Sequence, residues 1–428
     1  MKIIDKFFKI SEHSKMPALV KVSYNWKKIK KIPEIAKLAE CKQNPKWHSE
    51  GDALKHTIAV CEQAIEMVKK NYSTYNFIDH HPIKVKKDET PYFTKDKLDE
   101  VLIFLTAALF HDIGKGVTTF EKNGVWHSYG HEIEGEKIAR RLLWDEELEI
   151  RESICKLVRW HMEPLHILEH KNSFSAFTKL ARVMYQAFID FDYHCAPEYV
   201  NIGTLLDLKK CDILGSTQKD EEGKQKNLET IDRLYAFYKN CFYDDCFNLN
   251  SIFCKMSDEP SLARDQKSSG VQMSMLIGLP GAGKDTFIQK MFDSGKWNKG
   301  NSVVLCRDDL RAELGYCDYG EKKVLTSKQE DHVSEVFNER LLDAAKDGKH
   351  IIINNINLKR KYRDSYTRYI SNYNPYVEFY YIEAIGLDTN KERRNGQISD
   401  EVFENMIKSL EFPSPFEYNR LYICKNSN

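Results

Sequence analysis

The sequence predicts a multidomain protein in which an all-α domain precedes an α/β domain with a parallel sheet. The 428 residues exceed the roughly 250 to 300 at which a single hydrophobic core stops growing, so two domains are expected. In the first half of the chain, apolar residues recur at helical spacing. Beyond residue 270, short apolar strands alternate with helical stretches, which is the pattern of a mostly parallel sheet.

Four segments of the first half have helical spacing: 52 to 69, 98 to 110, 132 to 144 and 174 to 194. Strand-like alternation is nearly absent from this half. The polar stretch 216 to 229 predicts a solvated loop that leads into a helix near 230 to 242. A second polar stretch, 257 to 270, predicts the linker between a first domain of residues 1 to 256 and a second of residues 271 to 428.

The second half contains four short apolar strands, at 271 to 278, 302 to 306, 350 to 354 and 376 to 383. They are separated by helical stretches at 285 to 295, 328 to 347 and 359 to 373. Strands that alternate with helices form a mostly parallel sheet, which helices cover on both faces. Ligands of such open sheets bind at the carboxyl ends of the strands.

Composition and cysteine usage predict a soluble, cytoplasmic protein. The formal net charge is zero, so any contact with nucleic acid must come from a local basic patch. The 11 cysteines are dispersed without a CxxC pair, which argues for reduced thiols and against a disulfide framework or a zinc knuckle. No apolar run approaches the roughly 20 residues that span a bilayer, and the N-terminus has no signal-peptide cleavage site. We therefore expect no membrane association.

The segment GLPGAGKDT, from Gly278 to Thr286, follows an apolar strand and precedes a helix. Its glycines permit a tight turn with inward-facing amides, and Lys284 is predicted to reach the outer phosphates of ATP or another nucleoside triphosphate. Asp285 stands where a Ser or Thr usually binds Mg²⁺, so Asp285 ligates the ion directly or through water, or Thr286 takes over. The predicted nucleotide contacts are Gly278, Pro280, Gly281, Ala282, Gly283, Lys284, Asp285 and Thr286.

The run CRDDLR places Asp308 and Asp309 at the carboxyl end of the second strand of this half, with Arg311 close behind. A carboxylate in that position can accept a proton from a hydroxyl nucleophile that attacks the terminal phosphate. Aspartate is also favoured at helix N-termini, so the alternative interpretation of the run is a charged helix cap. The two roles are compatible.

Six residues dispersed through the first domain predict a different chemistry: His56, His111, Asp112, His131, His161 and Asp212. Histidine and carboxylate ligands together hold divalent transition-metal ions. A metal-bound water is a usable nucleophile, because its pKa falls towards about 7. Such ligands leave the identity of the metal open.

The second half resembles the phage polynucleotide kinases in its phosphate loop, its Arg-Asp-Asp-x-x-Arg run, its segment NNINLKRKYR at 354 to 363 and its lid LDTNKERRNGQISDEVFENM. The resemblance implies that Asp308 is the general base and that Arg311 contacts the phosphate on the acceptor side. The spacing of the lid to Ser399 favours Arg394 over Arg393 as the arginine that clamps the transferred phosphate.

The contexts of the six dispersed residues, such as ALFHDIGKG and KKCDILGS, resemble the HD phosphohydrolase superfamily over residues 44 to 215. The segments 44 to 60 and 211 to 216 are most similar to the HD modules of CCA-adding enzymes. The resemblance implies one or two metal ions, with a core set of His56, His111, Asp112 and Asp212 that His131 and His161 extend. Lys115 then either binds the scissile phosphate or caps a helix.

An HD domain, a linker and a P-loop kinase in this order resemble the bacterial HD-domain polynucleotide kinases, over residues 44 to 215 and 270 to 413. The resemblance implies ATP-dependent phosphorylation of 5′-hydroxyl ends. It also implies removal of phosphate from 2′,3′-cyclic, 2′- or 3′-phosphate ends. RNA or DNA ends would be the substrates, and a nucleic-acid ligase would use the products.

Two alternatives remain open at this level. The first is an HD nucleotidase fused to a nucleoside kinase or another small-molecule kinase. The second is a nucleotide-binding regulatory protein in which one module binds without turnover.

Overall fold

In the computed structural model, two compact units are described, one within residues 4–242 and the other within 270–426. The described residues are 4–13, 16–44, 48–72, 92–94, 97–167, 183, 202–217, 221–242, 270–319, 323–384, 392–393, 398–413 and 417–426. The predicted helix at 174 to 194, apart from Val183, and the predicted linker at 257 to 270, apart from Gly270, lie outside these residues. The domain boundaries therefore stay predictions.

The described part of the first unit is largely helical, as predicted. Its helices are α1 (Ile4–Phe7), α2 (Trp26–Ile29), α3 (Pro33–Ala36), α4 (Ala53–Tyr72), α5 (Leu98–Phe110), α6 (Lys115–Thr118), α7 (His131–Leu142), α8 (Leu148–Trp160), α9 (Pro164–Ile167), α10 (Ile202–Gly215) and α11 (Glu221–Phe242). The predicted loop at 216 to 229 is wrong for its second part, because α11 begins at Glu221. One face of α11 is polar, and this polarity made the stretch look like a solvated loop in the sequence.

Helix α5 is the centre of the first unit, since every residue from Val101 to Phe110 is buried. It packs against α4, α8 and α10. Among the described residues, only Leu98–Thr118 is long and apolar enough to cross a membrane, and 83% of its most apolar window is buried inside the unit. Burial in the core accounts for this composition, because a helix that neighbours surround on all sides is apolar all round.

Two small sheets in the first unit were not predicted. Strands β1 (Phe8–His13), β2 (Met16–Tyr24) and β3 (Tyr92–Thr94) form an antiparallel sheet, and β4 (Phe120–Lys122) pairs with β5 (Val125–His127) in a hairpin. In β2, Val20 and Val22 are buried on one face of the sheet. This alternation covers too few residues to stand out from the lysine-rich sequence around it.

The second unit has the predicted parallel sheet, covered by helices. Its strands are β6 (Gln272–Ile277), β7 (Ser302–Leu305), β8 (His350–Ile353), β9 (Tyr376–Ala384) and β10 (Arg420–Asn426), in the order β10-β9-β6-β8-β7. Its α-helices are α12 (Lys284–Asp293), α13 (Arg307–Glu313), α14 (Ser327–Lys346), α15 (Arg360–Tyr369) and α16 (Asp400–Lys408). The predicted α/β fold is confirmed, and β10 is an addition to the four predicted strands. Strand β6 lies in the middle, between β8 and β9.

Candidate functional site

The first unit brings all six predicted metal ligands together, although they are spread over more than 150 residues of sequence. His56 lies on α4, the pair His111-Asp112 follows α5, His131 begins α7, His161 follows α8, and Asp212 lies on α10. All six are buried. Because α4, α8 and α10 pack around α5 and α7 packs on α8, the polar side chains of these helices meet in one place.

The six residues form two triads. The ligand atoms of His56, His111 and Asp212 lie within 4.8 Å of one another, and so do those of Asp112, His131 and His161. The carboxylate of Asp112 belongs to the second triad and also faces the first. Its Oδ2 is 3.2 Å from His111 Nε2 and 3.6 Å from His56 Nε2, whereas its Oδ1 is 3.2 Å from His131 Nε2 and 3.9 Å from His161 Nε2. Asp112 is therefore placed to bridge two ions.

Backbone contacts orient three of the four imidazoles. The Nδ1 atoms of His111, His131 and His161 lie 2.9, 2.8 and 2.7 Å from the carbonyl oxygens of Ala108, Ser128 and Val158, each three residues earlier. A proton donated from Nδ1 leaves Nε2 with its lone pair directed into the site, which is the tautomer that a metal ligand needs.

Buried charge in the site is balanced. Burial alone would raise the pKa of the Asp112 carboxyl, but Lys115 and His111 outweigh it and hold this pKa well below its ordinary value. Burial would likewise lower the pKa of His56, but hydrogen bonds with Asp212 and Glu50 raise it to about 9. For His161, burial and the neighbouring histidines lower the pKa well below its usual range. A site that keeps two carboxylates ionised in its interior needs positive charge between them.

Three further residues, which were not predicted from the sequence, contact the triads or Lys115. Lys209 Nζ donates to Asp212 Oδ2 at 2.6 Å, one helical turn before it on α10. Glu50 Oε1 lies 3.1 Å from His56 Nδ1, so it orients this ring as the backbone orients the others. Gln43 accepts from Lys115 Nζ at 2.7 Å. The carboxylate six positions before His56 was a weak signal for Glu50, whereas nothing in the sequence connects Gln43 with Lys115.

Lys115 itself is buried, and its Nζ lies 2.7 Å from Asp112 Oδ2. It also begins the short helix α6, so both predicted roles are compatible with its position. The donor set of four imidazoles and two carboxylates fits divalent transition-metal ions. Such ions, when bound, supply an activated water and polarise a phosphoryl oxygen. The roles of the individual residues stay predictions.

Gly114, within the HDIGKG segment, allows α7 to approach the end of α5. A Cβ on Gly114 would lie 2.0 Å from the carbonyl oxygen of His131 and 2.6 Å from the amide nitrogen of Gly135. Gly114→Ala must therefore displace α7 together with His131. We expect a loss of about 1–3 kcal/mol in the free energy of unfolding and a lower metal-to-protein ratio.

Chemical denaturation and elemental analysis of the purified variant measure these two effects. Gly116→Ala is the matched control, because its Cβ would meet only the Lys37 side chain, at 3.6 Å or more. Wild-type stability together with full metal content in Gly114→Ala would contradict the expectation.

In the second unit, the predicted phosphate loop joins the central strand β6 to α12. Gly281 and Gly283 have φ values of 80° and 91°, a region that favours glycine. Lys284 Nζ donates to the carbonyl oxygens of Gly278 and Leu279 at 3.0 and 3.2 Å, so it lies across the loop. The loop, the lysine and the N-terminus of α12 together form an anion-binding concavity.

Asp309 interacts electrostatically with two other carboxylates, Asp285 of this loop and Asp308. Asp308 and Asp309 occupy the first turn of α13, directly after β7. Burial, together with the neighbouring carboxylates of Asp285 and Asp308, raises the pKa of Asp309. Carboxylate oxygens beside a triphosphate site are ligands that Mg²⁺ favours.

Glu330 of α14 organises the arginines of this site, and no sequence signal pointed to it. Its carboxylate accepts hydrogen bonds from Arg307 at 3.1 Å and from Arg311 at 3.1 Å. Arg311 also donates to Asp308. The side chain of Asp308 is 49% exposed, so it is accessible to an acceptor molecule.

The Asn-containing segment after β8 forms hydrogen bonds with the first turns of α12 and α13. Asn354 Nδ2 donates to Asp285 Oδ1 at 2.6 Å, and Asn355 Oδ1 accepts from the amide of Arg307 at 3.0 Å. Ser399 caps α16, the described helix of the predicted lid. Arg394 lies outside the described residues, and its predicted contact with the transferred phosphate stays a prediction.

Family models match both units. Residues 53–187 match the HD domain, and residues 273–413 match an AAA domain. The chain combines an HD domain with a P-loop kinase-like domain. The HD match contains five of the six residues of the two triads and ends before the sixth, Asp212, which the fold adds. The two domain classes support one hydrolase-type and one kinase-type activity.

Among curated proteins, the chain is 34% identical over 111 residues to a multifunctional CCA protein of Actinobacillus pleuropneumoniae serotype 5b (strain L20). The match covers 26% of this chain and 20% of that protein, so the chain spans about a fifth of the relative's length. A protein of the same name from serotype 7 (strain AP76) matches with the same values.

Among solved structures, a chain of the Pnkp1/Rnl/Hen1 RNA repair complex is 19% identical, with a TM-score of 0.27. The match covers 34% of this chain and 44% of that one. An unliganded sugar kinase from Janibacter sp. HTCC2649 is 19% identical with a TM-score of 0.27, and the match covers 36% of this chain and 85% of that one. At these scores, neither likeness bears on function.

Proposed function

We propose that the protein is a bifunctional nucleic-acid end-healing enzyme. One observation carries the proposal: a metal-ligand set bridged by Asp112 and a phosphate loop with an accessible aspartate occur on the same chain. The first suits hydrolysis of a phosphate ester, and the second suits transfer of phosphate from a nucleotide to a hydroxyl. Strands broken by nucleases need both reactions before they can be joined.

In the second domain, taken as residues 271–428, ATP or another nucleoside triphosphate with Mg²⁺ donates phosphate to a 5′-hydroxyl. Lys284 contacts the outer phosphates, Asp308 accepts the proton of the attacking hydroxyl, and Arg311 contacts the acceptor-side phosphate. Arg311 is already oriented by Glu330 and Asp308, which supports a positioning contact of defined geometry. Arg394 of the lid neutralises charge on the transferred phosphoryl group.

In the first domain, taken as residues 1–256, the triads would hold one or two divalent transition-metal ions. His56, His111, Asp112 and Asp212 would hold one ion, and His131 and His161, together with Asp112, would hold a second. Lys115, placed 2.7 Å from Asp112, binds the scissile phosphate of a 2′,3′-cyclic, 2′- or 3′-phosphate end. The substrates are RNA ends, or DNA ends, in the cytoplasm, and a ligase uses the healed termini.

A single assay tests both halves of the proposal. The protein is incubated with an oligoribonucleotide that has a 5′-hydroxyl and a 2′,3′-cyclic phosphate. The mixture contains ATP and Mg²⁺, with Mn²⁺, Ni²⁺ or Zn²⁺ added in turn. We expect a 5′-phosphate and a free 3′ end, both detected by mass spectrometry, and a matched DNA oligonucleotide measures the preference for RNA.

Three results would reject end healing. If neither end changes with any metal, the proposal is wrong. If nucleosides are phosphorylated while the 5′-hydroxyl oligonucleotide is untouched, the second domain is a small-molecule kinase. A protein that binds ATP but transfers phosphate to neither acceptor would instead be a nucleotide-responsive regulator.

A further inference from the structure

A cavity of 940 Å³ in the first unit reaches the two triads. Asp112, Lys115, His131 and Asp212 line this cavity, together with residues of α11 and of the β4–β5 hairpin. Ligand sites for small molecules enclose about 300–1,000 Å³. The cavity is at the upper end of that range, so it has room for more than a single phosphate group.

The cavity lining contains more cationic than anionic side chains. Asp112 and Asp212 are its two carboxylates, and both belong to the triads. The other formally charged lining residues are all cations: Lys42, Lys115, Lys209, Lys226 and Arg233. A cleft with an excess of positive charge attracts polyanions.

Helix α11 presents a polar face to this cavity. Gly223, Lys226, Asn227, Thr230 and Arg233 line it, at the spacing of a single helix face. Lys226 and Arg233 are two helical turns apart, which is about 10 Å along the helix axis. This separation favours two phosphates of one backbone over one isolated phosphate.

The β4–β5 hairpin and the residues after it provide aromatic rings on the same cavity. Trp126, His127 and Tyr129 line it. The rings of His127 and Tyr129 are stacked, with centroids 5.1 Å apart and an interplanar angle of 20°. Tyr129 is 71% exposed, so it contributes little to the core, and its position two residues before His131 places it next to the metal centre. Aromatic rings beside cationic side chains form the stacking platforms of single-strand binding sites.

We propose that this cavity binds a single-stranded polynucleotide end, with a base of the last two nucleotides stacked on the Tyr129–His127 pair and the upstream backbone along Lys226 and Arg233 of α11. The inference rests on the proposed 3′-end activity and names its substrate-recognition residues. Tyr129 determines the preference for nucleotides over other phosphate esters, and the two α11 cations determine the preference for chains over mononucleotides.

Tyr129→Ala tests the stacking platform. Phosphate release is measured from a hexanucleotide with a 3′-phosphate, and binding of its fluorescein-labelled form is measured by anisotropy. We expect KM and Kd to rise roughly 5- to 150-fold, with kcat little changed, and Tyr129→Phe to restore both values. Tyr319→Ala is the matched control, because Tyr319 is 70% exposed and lies in the other unit.

A second substrate separates stacking from a structural effect of the substitution. In this hexanucleotide, the last two positions are tetrahydrofuran residues without bases. We expect the wild-type protein to bind the tetrahydrofuran hexanucleotide as weakly as Tyr129→Ala binds the normal hexanucleotide. We also expect Tyr129→Ala and the wild-type protein to bind the tetrahydrofuran hexanucleotide equally weakly. An equal loss on both substrates in Tyr129→Ala would overturn the stacking role.

The double variant Lys226→Ala, Arg233→Ala tests the backbone contacts. We expect weaker binding of the hexanucleotide, unchanged hydrolysis of adenosine 2′,3′-cyclic monophosphate, and a slope of log K against log salt that is smaller by about 0.7 per lost contact. Lys55→Ala on α4 is the control, since Lys55 is exposed and does not line the cavity. An unchanged salt slope would overturn the contact with the backbone.

The outcomes distinguish this inference from the proposed function. If the protein releases phosphate from β-glycerophosphate but from no oligonucleotide, the proposed end-healing activity fails, and this inference fails with it. If oligonucleotide ends are processed while Tyr129→Ala and the double variant behave as wild type, the end-healing activity stands and the recognition surface is wrong.

Discussion

Asp112→Asn is expected to lower phosphate release from 3′ ends by on the order of 10³-fold, with 5′-phosphorylation unchanged. The Asp112 carboxylate presents one oxygen to each triad, at 3.2 Å from His111 and from His131. Asparagine has a single oxygen, and its amide nitrogen cannot ligate a metal. The variant can therefore complete one triad but cannot bridge both.

Elemental analysis provides a readout that does not depend on turnover. We expect the ratio of transition metal to protein to fall in Asp112→Asn, because its two triads no longer share an anionic ligand. Asp99→Asn is the matched control, since Asp99 is exposed in the first turn of α5, the helix that delivers His111. Full metal content and full 3′-end activity in Asp112→Asn would exclude Asp112 as the bridging ligand. Normal 5′-phosphorylation in the same sample verifies that the second domain is folded.

Lys284→Ala is expected to lower phosphorylation of 5′-hydroxyl ends by about 10²- to 10³-fold, with release of 3′-phosphate unchanged. The ammonium group lies across the loop, 3.0 Å from the Gly278 carbonyl oxygen, where the outer phosphates of a nucleotide would lie. In the proposed reaction this group stabilises charge that develops on the transferred phosphoryl group, so we expect its loss to affect kcat as well as nucleotide binding.

Transfer of labelled phosphate from ATP measures this loss, and the effect on KM for ATP separates binding from transfer. Lys290→Ala is the matched control, because Lys290 is exposed on the same helix α12 and outside the phosphate loop. If Lys284→Ala retains wild-type transfer, this loop is not the site of the kinase reaction. If it also abolishes 3′-end hydrolysis, the two activities do not occupy separate sites.

The sequence predicted most of the fold, because its strongest patterns are local. Apolar residues at helical spacing predicted α4, α5 and α7, and the alternation of strands and helices predicted the parallel sheet around β6. The weakest predictions concern short or polar elements. The sheet of β1, β2 and β3 was missed because its strands alternate over too few residues, and the first turns of α11 were missed because they are polar.

The two sites differ in how much of them the sequence could predict. The residues of the phosphate loop are contiguous in sequence, so the spacing of its glycines, lysine and aspartate is enough to predict the site. Glu330 lies 19 residues after Arg311 and bonds to it only because α14 packs beside α13. Glu50 and Lys209 likewise act on His56 and Asp212 through the packing of the first unit.

The sequence by itself determined the residue types of both sites, the order of the two domains and the identity of the six histidines and aspartates that form the two triads. Local motifs carry that information, since each is encoded within a few neighbouring residues. Only the tertiary structure decided that Asp112 of the second triad also faces the first and that α11 and the β4–β5 hairpin line the same cavity. These relations depend on distances between residues far apart in the chain, which are fixed when helices pack around α5.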